Sequence, residues 1–305
     1  IEYRPVEEVP AEFRGLSFEE CMQRIHDTVE DISLSLLPED LQKQHMNYPL
    51  RLASTKEKSI RVKMGTIVEA KPDLATPELK AVLVPLLQDP DGVIGSAARA
   101  LGEIVKANPA LATPELRDAL VPLLQDPYDD IIGNATWALG KIVEANPELA
   151  TEELRDALVP LLQDPDGVIG SAARALGEIV KANPALATPE LRDALEHLLQ
   201  DQAAGVRRIA AWALGNIVEA KTAFATAELR DALVPLLQDQ AAVVRANAAG
   251  ALGKIVAANH ALATAGLRTA LVPLLQDQVA VVRANADEVL VQIHNLLRPD
   301  LFPAD

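Results

Sequence analysis

The glycines of five Leu-Gly dipeptides, Gly102, Gly140, Gly177, Gly215 and Gly253, stand 38, 37, 38 and 38 residues apart. The aspartates Asp89, Asp126, Asp164, Asp201, Asp239 and Asp277 step by 37 or 38 through the same region. A fixed period of this length means stacked supersecondary units, each burying its apolar face only against its neighbours, so the chain folds as an array. Six units follow residue 75, and a degenerate one precedes them with Gly65 in MGTIVEAKPDL. Apolar residues make up 49% of the chain but aromatic ones only 3%. Its apolar mass is Ala, Leu and Val, which favours helices packed closely on small side chains.

Each unit reads as two helices. Helix A opens at ATPELRDAL, where Thr113 is placed to cap, Pro114 occupies a first-turn site that needs no donor, and Glu115 complements the helix dipole. It runs on through VPLLQD, and Pro122 inside it is expected to kink it by removing a backbone donor. Helix B is expected from about Val93 to Ala107, with Val93, Ala97, Ala100, Leu101 and Ile104 on one face and a stop near Asn108-Pro109.

The proline of VPLLQD, the turn aspartate and a helix B carrying Val244, Arg245, Ala248, Leu252 and Gly253 together resemble the HEAT repeat family over about residues 55–297. The resemblance implies an all-α, right-handed α-solenoid of six to seven two-helix units whose B helices line the concave surface. It also implies an arginine–aspartate ladder through Asp201, Asp239 and Asp277, reached from Arg207, Arg245 and Arg283. The period is slightly shorter than the family's usual ~40–47 residues. In the first three units the ladder arginine is replaced by Ile94, Ile132 and Ile169, and the turns read QDP rather than QDQ. Residues 1–54 are expected to form an N-terminal arm and helical cap, with Ser17 and Glu20 as a capping box, residues 55–297 the array, and residues 298–305 a tail.

The formal net charge of −16 opposes nucleic acid and anionic membrane surfaces, whose binding rests on Lys and Arg displacing counterions. No apolar run approaches the ~20 residues of a membrane span. A start at Ile1 points to a trimmed or processed chain, and the single cysteine, Cys21, excludes an internal disulfide framework. A reducing, cytoplasmic setting and a monomer are expected. The five histidines lie far apart and none has a metal-ligand partner at a suitable interval, so neither metal nor cofactor is expected. His197 is the odd one, because it replaces the helix A proline. A basic stretch, Arg51, Lys56, Lys58, Arg61 and Lys63, reads as a solvated helix or as a docking patch for an acidic partner or for the chain's own acidic body. No residue pattern supports catalysis. Two other classes accompany the resemblance, an enzyme or enzyme subunit of bilin-lyase or DNA-glycosylase kind and the sensor array of a larger protein.

Three positions of helix B form rows, read as exposed and opposite the apolar stripe. The first holds Ser96, Asn134, Ser171, Ile209, Asn247 and Asn285; the second Arg99, Trp137, Arg174, Trp212, Gly250 and Glu288; the third Glu103, Lys141, Glu178, Asn216, Lys254 and Gln292. Alternating Arg and Trp suits a recognition surface, since both are enriched among binding hot spots. Arg99, Trp137, Arg174 and Trp212 are the expected anchors, with Glu103, Lys141, Glu178, Asn134 and Ile209 beside them. The expected partner is a protein or peptide, basic or extended, held without catalysis. The competing reading packs the tryptophans sideways against neighbouring B helices and pairs Arg99 with Glu103 and Arg174 with Glu178 within one helix. Residues 83–120 recur without change as 158–195, so the alternation was copied with a two-unit block.

Overall fold

The computed structural model describes residues 65–89, 93–163 and 168–297. The expected arm, cap, capping box, basic stretch and tail lie outside them. Every regular element among the described residues is helical. After a helical segment at 65–70, six pairs follow. Helix A is α1 (Pro77–Leu83), α3 (Pro114–Leu120), α5 (Glu152–Leu158), α7 (Pro189–His197), α9 (Ala227–Leu233) and α11 (Ala265–Leu271). Helix B is α2 (Ile94–Ala107), α4 (Asp129–Ala145), α6 (Ile169–Ala182), α8 (Ala204–Ala220), α10 (Ala242–Ala258) and α12 (Ala280–Leu297). Successive B helices pack on one another along the array, and each A helix packs on its own B helix. This is the α-solenoid that the period demanded.

Every helix A starts as read. The Thr113 hydroxyl accepts from the Leu116 amide, and Thr76, Thr151, Thr188, Thr226 and Thr264 do the same in their units. Such a cap satisfies one of the donors that a helix start leaves unpaired. The internal proline acts more locally than a kink. The α-helix ends at Leu120 and the chain continues as a 3-10 helix over Val121–Gln125. Where Glu196 and His197 replace Val-Pro, α7 runs on to His197 and the 3-10 stretch shrinks to Leu198–Gln200. The lost donor and the ring clash therefore set where the α-helix stops.

Two side-chain ladders tie the units together. In the second half Arg207 Nε and Nη2 donate to the Asp239 carboxylate at 2.7 and 3.0 Å, while its Nη1 holds the Asp201 and Gln202 carbonyls. Arg245 repeats the pattern onto Asp277 at 2.7 Å and onto the Asp239 and Gln240 carbonyls. The expected ladder is present, and each arginine binds its own turn to the next. Asp201 has Ile169 where a preceding arginine would stand, and its carboxylate caps the Ala203 amide. The second ladder runs through both halves. Asn108, Asn146, Asn183 and Asn259 donate to the carbonyls of Ala75, Ala112, Ala150 and Ala225 in the preceding unit. The asparagine that marks the end of helix B, followed by proline in three of these units and by His260 in the fourth, is thus also a clamp between units.

Candidate functional site on the helix-B face

The three rows are not equally open. Glu103 is 2% exposed and Asn216 4%, and Glu178 is also buried. The expectation of a uniformly solvent-facing third row is therefore corrected. Each interior B helix is flanked by two others, so the third row falls in the seam between neighbours. Glu103 is buried with its charge matched, accepting from Arg99 Nη2 at 3.0 Å and from Lys106 at 3.1 Å. Asn216 bridges three units, donating to the Gly177 carbonyl and accepting from Lys254.

The second row is divided between stacking and solvent. The indole of Trp137 lies so close over Gly102 that an added Cβ would stand 2.3 Å from its ring, and Trp212 lies over Gly177 in the same way at 2.4 Å. Both rings are half-buried. The guanidinium of Arg99 sits 3.9 Å from the centre of the Trp137 ring. The side-by-side packing of the tryptophans is thus real, and it explains the glycine at Gly102 and Gly177: the preceding helix must lack a Cβ for the next side chain to settle on it. Arg99 covers Gly65 through its Cγ, Lys254 covers Gly215 through its Cδ, and Val289 covers Gly253.

Gly140 is the exception. The nearest atoms to a Cβ built there are Ala175 Cα at 3.5 Å and Ala175 Cβ at 3.6 Å, with no long side chain from α6 above it. A recess of about 100 Å³ opens at this place, lined by Thr136, Trp137, Gly140, Lys141, Glu144 and Arg174 together with Gly170, Ser171, Ala175, Glu178 and Ile209. Five of the nine nominated residues, Trp137, Lys141, Arg174, Glu178 and Ile209, meet here. Arg99 and Glu103 form their own pair one interface earlier, Trp212 stacks one interface later, and Asn134 donates to the Asp130 carbonyl of its own helix.

The recess has an uneven polar lining. Lys141 pairs with Glu144 at 2.5 Å. That bond, with Lys141, Arg174 and Lys181 as neighbouring cations, holds the Glu144 carboxyl below the usual range. Arg174 is exposed and makes no hydrogen bond or ion pair among the described residues, although its sequence twin Arg99 is doubly engaged. Glu178 finds only Lys181, at 3.8 Å. Thr136 is 0% exposed, and its hydroxyl has no partner. The equivalent positions hold Ala98, Ala173, Ala211 and Ala249, with Asp287 in the last unit. Sequence reading passed over Thr136, whose one signal was a hydroxyl in a column otherwise of alanine through the first five units. No group of three or more His, Cys, Asp or Glu side chains suited to a metal occurs among the described residues. No helix among them is long and apolar enough to cross a membrane.

A repeating two-helix stack joined by arginine–aspartate and asparagine–carbonyl ladders defines an α-solenoid. The sequence matches the family model for HEAT repeats over residues 81–177, 118–215 and 193–291, and the chain belongs to the HEAT-repeat family. Among solved structures it is similar to an engineered protein at TM-score 0.67 and 25% identity, covering 94% of this chain and 78% of that one. A second engineered protein aligns at TM-score 0.61 and 28% identity over 72% of this chain and 98% of its own. A designed armadillo repeat protein in complex with the peptide (KR)4 aligns at TM-score 0.58 and 28% identity, over 69% of this chain and 98% of that one. No curated protein sequence matches it.

Proposed function

We propose that the chain is a non-catalytic binding scaffold that holds an extended protein segment or peptide along its concave helix-B face, working as a monomer in the cytoplasm. The observation that carries this reading is the convergence of Trp137, Arg174, Lys141, Glu178 and Ile209 on one recess at Gly140. An exposed arginine beside an aromatic ring is the composition that binding hot spots favour. The net charge of −16 favours encounter with a basic partner over an acidic one, because complementary potential raises the association rate. The similar armadillo design that carries (KR)4 lends the same direction. Nucleic acid and membrane remain outside the proposal on grounds of charge.

Arg99, Trp137 and Trp212 support the groove mainly by shaping it, and Arg174 is the side chain most available to a ligand. Selection from a display library of extended peptides, followed by calorimetry on the enriched sequences, tests the proposal. Enrichment of basic, extended sequences whose binding weakens on replacement of Arg174 supports it. A library that yields no binder, or binders indifferent to every row residue, removes it.

A further inference from the structure

Along the array, the glycine of each Leu-Gly pair, and Gly65 of the degenerate unit, is a socket for the next helix B. Gly102 and Gly177 take indoles, Gly65 takes the stem of Arg99, Gly215 that of Lys254, and Gly253 takes Val289. At Gly140 the next helix supplies Arg174, whose side chain does not come within 4 Å of the socket. The recess is therefore the one glycine socket of the described residues that the chain itself leaves open. It has room for a group several times the size of a water.

We propose that this socket takes an aromatic side chain with a polar edge atom, a tyrosine, histidine or tryptophan of the bound segment, in the way the flanking sockets take Trp137 and Trp212. The proposal deepens the peptide-binding reading and rests on it for the source of the ring. Three features choose this class. The floor, made of Gly140 and Ala175, is flat and apolar, and the two comparable sockets on either side are filled by indoles. The guanidinium of Arg174 is complementary in charge to the negative face of a ring, and Arg99 over Trp137 shows that contact within the same molecule. The buried Thr136 hydroxyl lacks a partner, which a phenol, imidazole or indole N–H supplies and a phenyl ring does not. Leaving it unpaired carries a desolvation cost that its alanine counterparts avoid.

The two tryptophans give the test its readout, since they are the only ones in the chain. Their two indole N–H resonances, assigned with Trp212→Phe, are followed by NMR as para-cresol, the tyrosine side-chain analogue, is added to the whole chain. A fragment of this size is expected to bind with a dissociation constant on the order of millimolar to tens of millimolar. The Trp137 resonance shifts saturably while that of Trp212 stays in place. Toluene binds several-fold more weakly, and Thr136→Ala brings para-cresol down to the toluene level. Gly140→Ala, which puts a methyl group in the socket without a clash, weakens para-cresol about tenfold or more. Equal movement of both tryptophans, no saturation, or undiminished binding to Gly140→Ala overturns the socket. The peptide reading fails separately: a library without binders beside a para-cresol-binding socket sinks that reading alone. Peptides that bind with no aromatic preference and tolerate Gly140→Ala sink the socket alone.

Discussion

The socket description makes opposite predictions for one substitution at two equivalent glycines. Alanine in a helix interior is favoured over glycine by roughly 0.8–1.0 kcal/mol. At Gly140 a Cβ meets nothing nearer than 3.5 Å, an ordinary contact, so Gly140→Ala is expected to keep most of that gain. The corresponding rise in melting temperature is about 2–4 °C for an array of this size. At Gly102 the same methyl would stand 2.3 Å from Trp137 Cζ3, 2.8 Å from Cε3 and 3.1 Å from Ala138 Cα. The indole must leave its seat or the helices must part. Overpacking of this kind costs about 1–3 kcal/mol, which cancels or exceeds the propensity gain and leaves Gly102→Ala about 0–2 kcal/mol less stable than the parent. Urea unfolding followed by circular dichroism measures both, and tryptophan emission reports the indole directly. Gly102→Ala is expected to shift emission to the red as Trp137 meets water, with little change in Gly140→Ala. Equal stabilisation of the two variants with unchanged emission refutes the socket account.

The ladder gives a second expectation. Arg207→Ala leaves the largely buried Asp239 carboxylate without its two charge-assisted bonds, and hydrogen bonds to charged groups are worth about 1.5–3 kcal/mol. Hydrogen exchange should show the loss as faster opening of the turns near residues 201 and 239, with the first two units unaffected. Acid dependence follows from the same contacts. The Arg207 fork holds Asp239, and the Arg245 fork holds Asp277, below the usual aspartate range. The folded state then binds fewer protons than the unfolded chain, so this stability is complete above the ordinary aspartate pKa of about 3.9 and is lost as pH falls below it. Glu115, Glu153 and Glu228 at helix A starts are lowered first by their own backbone amides and then by the threonine caps. They act with the same sign. The urea midpoint is therefore expected to be flat between neutral pH and about 5 and to fall below about 4. Finally, His197→Pro should end the α-helix of α7 two residues earlier, at Leu195, and lengthen its 3-10 stretch to match the other units, which a crystal structure of the variant would show.

The units, their boundaries, the threonine caps and the second-half ladder were all readable because each depends on residues at fixed offsets along the chain. The site was less so. A helical wheel for α2 alone sets Glu103 opposite the apolar stripe. Burial of Glu103 at 2% exposure arises from a neighbouring B helix that the wheel does not contain. The identical helices α2 and α6 make the same point more sharply. Arg99 lies on Gly65 and pairs with Glu103 and Trp137, whereas Arg174, in the same local sequence, does neither with its own neighbours. What differs is the helix beneath, a segment ending at residue 70 in one case and α4 with Trp137 and Lys141 in the other. The asparagine clamp was hidden for another reason: Asn-Pro already had a sufficient meaning as a helix stop, and the recurrence of the asparagine at Asn108, Asn146, Asn183 and Asn259, the last before His260 rather than a proline, was the unused signal.

The central claim is that the helix-B face around Gly140 binds a ligand through side chains the stack does not need. Arg174 is the cleanest residue on which to test it, being exposed and unpaired among the described residues, whereas removal of Trp137 would also unseat the packing on Gly102. Calorimetry of Arg174→Ala against a peptide selected on the parent chain, with the melting temperature measured beside it, is the most direct experiment. The account predicts binding weakened about tenfold, the loss of one hot-spot contact of roughly 1.4 kcal/mol or more, and an unchanged melting temperature. Unchanged affinity, or a loss of affinity that only follows a loss of stability, contradicts it.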